Sequence, residues 1–257
     1  MKITALTENT SARCLPTEHG LSLFIEACGK KLLFDMGQTG LFAENAAALG
    51  IDLKEAELAV ISHGHYDHGG GLETFLKLNK TAPVYISTFS FEPHYNAHEK
   101  YIGLDTELKN NPRLIFVSGK TSVGEGLTLY DGADIPQIVD MGAAGLTVME
   151  SGRLIPEDFR HEQYLLIEEN GKRVLISGCS HRGIINITEH FRPDILIGGF
   201  HFMKLSPGDT LASYAKRLDS YPTRYFTCHC TGTEQYDFMR PIIKHLNYIS
   251  AGDSITI

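Results

Sequence analysis

The stretch Ser62-His63-Gly64-His65-Tyr66-Asp67-His68-Gly69-Gly70-Gly71 constrains this chain more than any other. Three histidines and an aspartate fall within six positions, between the apolar run Leu58-Ala59-Val60-Ile61 and a segment of helical spacing that starts at Leu72. The apolar run predicts a buried strand. The side chains after it therefore leave a strand end on a tight loop. Imidazole and carboxylate are the usual ligands of zinc, iron and manganese. Residues two apart in an extended loop turn to the same side, so His63 and His65 can share one ion. Asp67 and His68 are offset to reach a second. The glycines let the backbone pass close to such ions.

The same event recurs later in the chain. Apolar runs end on Gly178-Cys179-Ser180-His181, on Gly198-Gly199-Phe200-His201 and on Cys228-His229-Cys230. The carboxyl ends of strands are where open α/β folds place their sites. Other signals fill in the frame. Hairpins are expected around Cys28-Gly29-Lys30 and around Asn170-Gly171, the latter a strong turn pair. Helices are expected over 41–49, 72–78, 184–191 and from Ser206-Pro207-Gly208-Asp209 to about Leu218. Strands are expected over 83–87, 114–117, 136–139, 194–197, 224–227 and 254–257. Residues 89–112 read as a helical insertion or a lid, and Gly142-Ala143-Ala144-Gly145 as a plain turn. Hairpins followed by alternating strands and helices, with no repeat or linker, predict one α/β (α+β) domain over 1–257, sheets inside and helices outside.

Composition bounds the rest. A formal net charge of −8 argues against a nucleic-acid partner, although bound cations would still admit an anionic substrate. The five cysteines show no disulfide framework, which predicts reduced thiols in a cytoplasm. The first residues lack the apolar core of a signal peptide, and no apolar run reaches the roughly 18 residues of a membrane span. The expected partner is a small molecule; oligomeric state is not encoded in any motif.

His63-Gly64-His65-Tyr66-Asp67-His68 resembles the HxHxDH signature of the metallo-β-lactamase fold superfamily. Glu18-His19-Gly20-Leu21-Ser22, Leu33-Phe34-Asp35-Met36-Gly37, the Cys179–Ile187 stretch, Gly198–Phe202 and His229-Cys230-Thr231-Gly232 are similar to motifs of one branch. That branch is the 7,8-dihydropterin-6-yl-methyl-4-(β-D-ribofuranosyl)aminobenzene-5′-phosphate synthase-like one. The resemblance implies a four-layer αβ/βα sandwich with two divalent ions, zinc first and manganese or iron as alternatives. It implies His63 and His65 on the first ion, and Asp67, His68 and His229 on the second. A bridging aspartate is usual where this chain has Gly178-Cys179, so Cys179, His181 or His161 must complete the set, His181 being favoured.

A divalent pair lowers the pKa of a bridging water toward neutrality. Asp67 would orient the resulting hydroxide. His201 and His19 are candidates to support the ligands or to protonate a leaving group. Arg182 is a candidate for a substrate phosphate, and His19 and Phe200 for substrate contact. The expected activity is that of a metal-dependent hydrolase or transferase on a small, phosphorylated, pterin- or ribose-like substrate. The rivals are a di-iron redox or oxygen-handling protein, and a small-molecule sensor with little turnover.

Overall fold

Alternation along the strands decides what each residue faces. Leu32 and Phe34 join one apolar cluster while Leu33 between them joins another. Leu165 and Ile167 likewise join the first cluster, and Tyr164 and Leu166 a third. A period of two on both faces requires a sheet covered on both sides.

The computed structural model describes residues 1–257 and contains two such sheets of seven strands each. The first runs in the order Ser254–Thr256, Lys2–Thr7, Ser22–Ala27, Lys30–Phe34, Leu58–Val60, Val84–Ser87, Leu114–Val117. The second runs Leu246–Tyr248, Arg224–Thr227, Ile195–Gly198, Lys172–Ile176, Gln163–Glu169, Leu127–Asp131, Lys120–Gly124. In each, an antiparallel meander passes into parallel strands joined by crossovers. Side chains of both sheets, such as Leu23, Ile25 and Phe34 with Ile176, Ile197 and Phe226, fill the layer between them. Phe42, Phe75 and Leu76, from helices Leu41–Ala48 and Leu72–Leu78, cover the outer face of the first sheet. Helices Ile184–Phe191, Asp209–Asp219 and Thr233–Met239 cover the second. The result is the expected four-layer αβ/βα sandwich.

Two expectations fail. Residues 89–112 hold no α-helix. They contribute a two-residue strand, His94–Tyr95, to a small sheet with Thr147–Glu150 and Arg153–Pro156, and a 3-10 turn over Thr106–Asn110. The backbone of His94 and Tyr95 is held by a distant partner strand, which no local pattern announces. Residues 136–139 form no strand either. The amides of Ile138 and Val139 donate to the side-chain oxygen of Asn186, so the segment turns instead of pairing. The pairs Lys120–Gly124 with Leu127–Asp131, and Thr147–Glu150 with Arg153–Pro156, were not expected from the sequence.

The metal-type loop is clamped by close backbone approach. A Cβ on Gly64 would stand 2.2 Å from the Ser90 carbonyl oxygen. Gly64→Ala therefore has no room, and is expected to cost about 1–3 kcal/mol of overpacking. Urea unfolding of the variant tests this; an unchanged midpoint would mean that the Ser90 segment yields freely.

Candidate metal centre

Strand ends from both sheets meet at one edge of the sandwich. The first sheet brings Asp35 and the loop from Ser62 to His68; the second brings the loops bearing Cys179 to His181, His201 and His229. Asp35, Ser180, His201 and His229 all have positive φ, between 48° and 60°. Such conformations cost roughly 1–3 kcal/mol each and mark places where surrounding bonds override local preference.

Those bonds set the direction of each ring. Ser62 Oγ donates to Asp35 Oδ2 at 2.7 Å, so it must accept from Nδ1–H of His63 at 2.8 Å. His68 Nδ1–H donates to Asp35 Oδ2 at 2.7 Å, and His229 Nδ1–H to Asn9 Oδ1 at 2.8 Å. In their neutral forms all three rings therefore present a bare Nε2 inward. His68 Nε2 lies 3.2 Å from His229 Nε2 and 3.1 Å from Cys179 Sγ, and His229 Nε2 lies 3.2 Å from Asp67 Oδ2. Two imidazole lone pairs aimed at each other beside a carboxylate repel unless a cation lies among them. This donor set fits a divalent ion, and the outward hydrogen bonds are those that fix the tautomer of metal-binding histidines.

Two groups of ligand-type atoms lie within 4.8 Å of one another here: Asp67, His68, Cys179 and His229, and His63, Cys179 and His181. Cys179 belongs to both. His63 Nε2 and both ring nitrogens of His181 are buried without a hydrogen-bond partner. Burial, then neighbouring rings, hold His63 and His181 well below the usual imidazole range, which keeps them neutral and able to bind. Burial would push the Asp67 carboxyl up, but His68, His19 and His229 outweigh it and keep it well below the usual range. For His68 burial acts downward, and Asp35 and Asp67 outweigh it to raise the pKa. Burial, with Cys230 next, raises the Cys179 thiol well above its ordinary value, so ligation requires the ion to displace its proton.

The remaining predicted residues are placed as follows. His65 stands beside His63 and His181, ring centroids 4.6 and 5.0 Å away, yet its ligand atom groups with His94, Glu157 and His161 instead. His161 therefore lies behind the centre, and its Nδ1 accepts from the Gly64 amide at 2.8 Å. His19 Nδ1 accepts from Asn9, which leaves its Nε2–H to donate to Asp67 Oδ2 at 3.3 Å. His201 packs on His181 at 4.3 Å, its pKa pushed down to about 4 by burial and by Lys204. Arg182 spends one guanidinium nitrogen on the Asp158 carbonyl, which weakens the expectation of a free two-pronged phosphate contact. Phe200 is fully buried in the outer core, although it borders a cavity.

Four supporting residues were not identified as functional from the sequence. Asp35 accepts from Ser62 and His68, and Asn9 from His229. Glu8 accepts from the His229 amide at 2.5 Å. Glu162 accepts from the amides of His181 and Arg182 at 2.8 and 2.9 Å. The placement of Asp35 at a strand end before Gly37 was the one available signal.

Two cavities of about 320 and 330 Å³ flank His181 and share it with Met141 and Gly142. Gln137, Asp140, Asp158 and Arg182 line one; His201, Phe202, Lys204 and Tyr214 line the other. Because Asp35 orients His68, Asp35→Ala is expected to lower zinc affinity about 10–100-fold. Chelator competition on the folded variant measures this, and an unchanged Kd would show that Ser62 and packing suffice.

The family model described as the metallo-beta-lactamase superfamily matches residues 15–221. A Methanocaldococcus jannaschii protein named 7,8-dihydropterin-6-methyl-4-(beta-D-ribofuranosyl)-aminobenzene-5′-phosphate synthase is 28% identical, over 99% of this chain and 96% of its own. The crystal structure of Tm1679, described as a metal-dependent hydrolase of the beta-lactamase superfamily, is 30% identical with a TM-score of 0.86, covering 100% of this chain and 99% of that one. Zinc-bound PqqB from Methylobacterium extorquens shares the fold at 13% identity and a TM-score of 0.61, over the full length of both chains. The strand-end histidines thus sit in a frame shared with these proteins from one end to the other, and the chain belongs to the metallo-beta-lactamase superfamily.

Proposed function

We propose that this protein is a metal-dependent hydrolase of small phosphorylated molecules, with two divalent ions, zinc first, at the strand-end centre. The observation that carries the reading is the inward convergence of His68 Nε2, His229 Nε2, Asp67 and Cys179, with the outward ring nitrogens already bonded to Asp35 and Asn9. His63, Cys179 and His181 would hold one ion, and Asp67, His68, Cys179 and His229 the other. Bound divalent ions supply Lewis acidity and bring the pKa of water toward neutrality.

The chain's own groups do the rest. Asp67, held ionised by its imidazole neighbours, would bring the one carboxylate charge to the ion held with His68 and His229. His19, with Nε2–H on Asp67 and a half-exposed ring, is placed to pass a proton to a departing oxygen. His201 stays neutral near pH 7 and stands at the cavity wall beside His181. The Lys204 lobe suits a flat, anionic substrate: Phe202 and Tyr214 stack at 5.8 Å and 19° along it, and Lys204 supplies the cation. A phosphorylated pterin- or ribose-like compound has that shape. The relative named as a phosphate synthase supports that substrate class. The five cysteines are unpaired, which fits a cytoplasmic setting.

A panel of phosphate mono- and diesters, assayed with metal-loaded and chelator-treated protein, tests the proposal. Turnover should vanish on metal removal, return with zinc or manganese, and fall to background in His63→Ala. No turnover of any ester by a protein that binds its metals would overturn it; tightly bound iron with a visible absorption band would instead favour the redox reading. Within the hydrolase reading, Lys204→Ala is expected to raise KM for a phosphorylated substrate roughly 10–100-fold, the loss of one charge-assisted hydrogen bond. Steady-state kinetics checks this, with kcat expected to change little.

A further inference from the structure

Between the strands Leu127–Asp131 and Thr147–Glu150 the chain forms a long loop with no strand or helix of its own. One buried side chain sets its course. Asn186 Oδ1 accepts from the amides of Ile138 and Val139 at 3.1 and 2.9 Å, and its Nδ2 donates to the carbonyls of Val139 and Arg182 at 2.9 and 2.8 Å. A carboxamide offers two lone pairs and two N–H groups, so Asn186 is saturated. Because Arg182 directly follows His181, the same side chain ties the loop to the segment that carries His181.

Just past this anchor, Asp140 Oδ1 accepts from the Gly142 amide at 2.8 Å and from Gln137 Nε2 at 3.0 Å. That turn lays Met141 on Gly183, where an added Cβ would stand 2.8 Å from Met141 Cγ. Met141, Gly142 and His181 are the residues common to the two cavities of about 320 and 330 Å³. Gly142 has no side chain and His181 belongs to the centre, so the removable part of the partition is Met141. The lobes it separates differ in character. Phe202, Tyr214 and Lys204 line one; Gln137, Asp140 and Asp158 line the other. Each is near the small end of ligand pockets, roughly 300–1,000 Å³, and holds one ring-sized group.

We propose that Met141 is a specificity-determining residue: it narrows the cleft over His181 to a neck, so that phosphorus compounds with one bulky substituent are preferred over those with two. The inference rests on the phosphate-ester reading of the cleft and deepens it to monoesters. With phosphorus beside His181, one flat substituent fills the Lys204 lobe. A second must pass Met141 and then lie beside the carboxylates of Asp140 and Asp158. A thioether side chain bends easily, so the neck discriminates by degree, and Asn186 acts as the positioning residue that holds it in place.

The test uses two probes that cannot be hydrolysed, phenylphosphonate with one ring on phosphorus and diphenylphosphinate with two. Calorimetry on the zinc-loaded full chain gives a Kd for each, so an absence of turnover in the ester panel would sink the hydrolase reading and leave this measurement intact. Wild type is expected to favour the one-ring probe. Met141→Ala should shrink that preference about tenfold, the order of discrimination that a small change in apolar pocket volume provides. Asn186→Ala should shrink it in the same direction, Met141→Leu, of similar volume, should keep it, and Met141→Phe should enlarge it, which decides the question should an alanine variant misfold. A purely structural role would weaken both probes alike. An equal loss of both, an unchanged ratio in folded Met141→Ala and Met141→Phe, or a wild type without preference for the one-ring probe overturns the proposal.

Discussion

The Asp35 carboxylate is the contact on which the rest of the site depends. It is fully buried and has no lysine or arginine partner. Its stabilisation comes from the Ser62 amide at 2.6 Å, the Ser62 hydroxyl and the His68 ring, both at 2.7 Å. Burying a charge this way is tolerable only when its lone pairs are filled. In return it fixes two adjacent strand ends to each other, sets the tautomer of His68 directly and that of His63 through Ser62. One carboxylate thus aims two rings at the same space.

The second sheet repeats the device with other residues. Glu162 gathers the amides of the loop that carries His181, and Glu8 with Asn9 holds the backbone and ring of His229. The residues these anchors hold include non-glycine positions with positive φ, such as His229, and Ser180 just before the bonded His181 amide. Hydrogen bonds from a distant strand offset that local strain, so loss of an anchor is felt as a misdirected ring before it is felt as a lost fold. The two sheets meet through the layer between them, through contacts of Glu169 with Met1 and Cys28 at the hairpin end, and through this rim of bonds, where their relative position sets the ligand geometry.

Much of this was legible from local pattern. The loop after Leu58–Val60, the Asn170-Gly171 hairpin and the strand ends at His181 and His229 all rest on short-range rules: apolar runs, turn chemistry, and ligand types bunched beside glycine. What escaped notice is non-local. Glu8 and His229 are 221 residues apart, His94 and Glu157 are 63 apart, and neither Glu8 nor Glu157 stands in any motif. The strand His94–Tyr95 is only two residues long and exists because Thr147–Glu150 pairs with it. His65 lies beside His63 and His181, as spacing suggested, and the third sheet adds His94 and Glu157 as further neighbours that spacing cannot reveal.

Cys179 stands where the resemblance to the superfamily leads one to expect a carboxylate, and a thiol there changes the chemistry. A carboxylate at that position is ionised before any metal arrives. The Cys179 thiol, raised by burial and by Cys230, is not, so an entering ion must first expel its proton. That makes occupancy steeper in pH than a carboxylate bridge would be, and favours thiophilic zinc or iron over magnesium. Once formed, a thiolate beside His63 and His68 would donate more charge to a bound ion than an aspartate does, which would weaken that ion as a Lewis acid. The surrounding residues limit the added negative charge: burial holds His229 neutral, its pKa pushed down to about 4, and Asp67 is the only carboxylate in either group. Were two dications held there, as in the proposed function, one thiolate and one carboxylate would leave them short of full neutralisation. That residual positive charge is what an anionic substrate in the cavities beside His181 would meet.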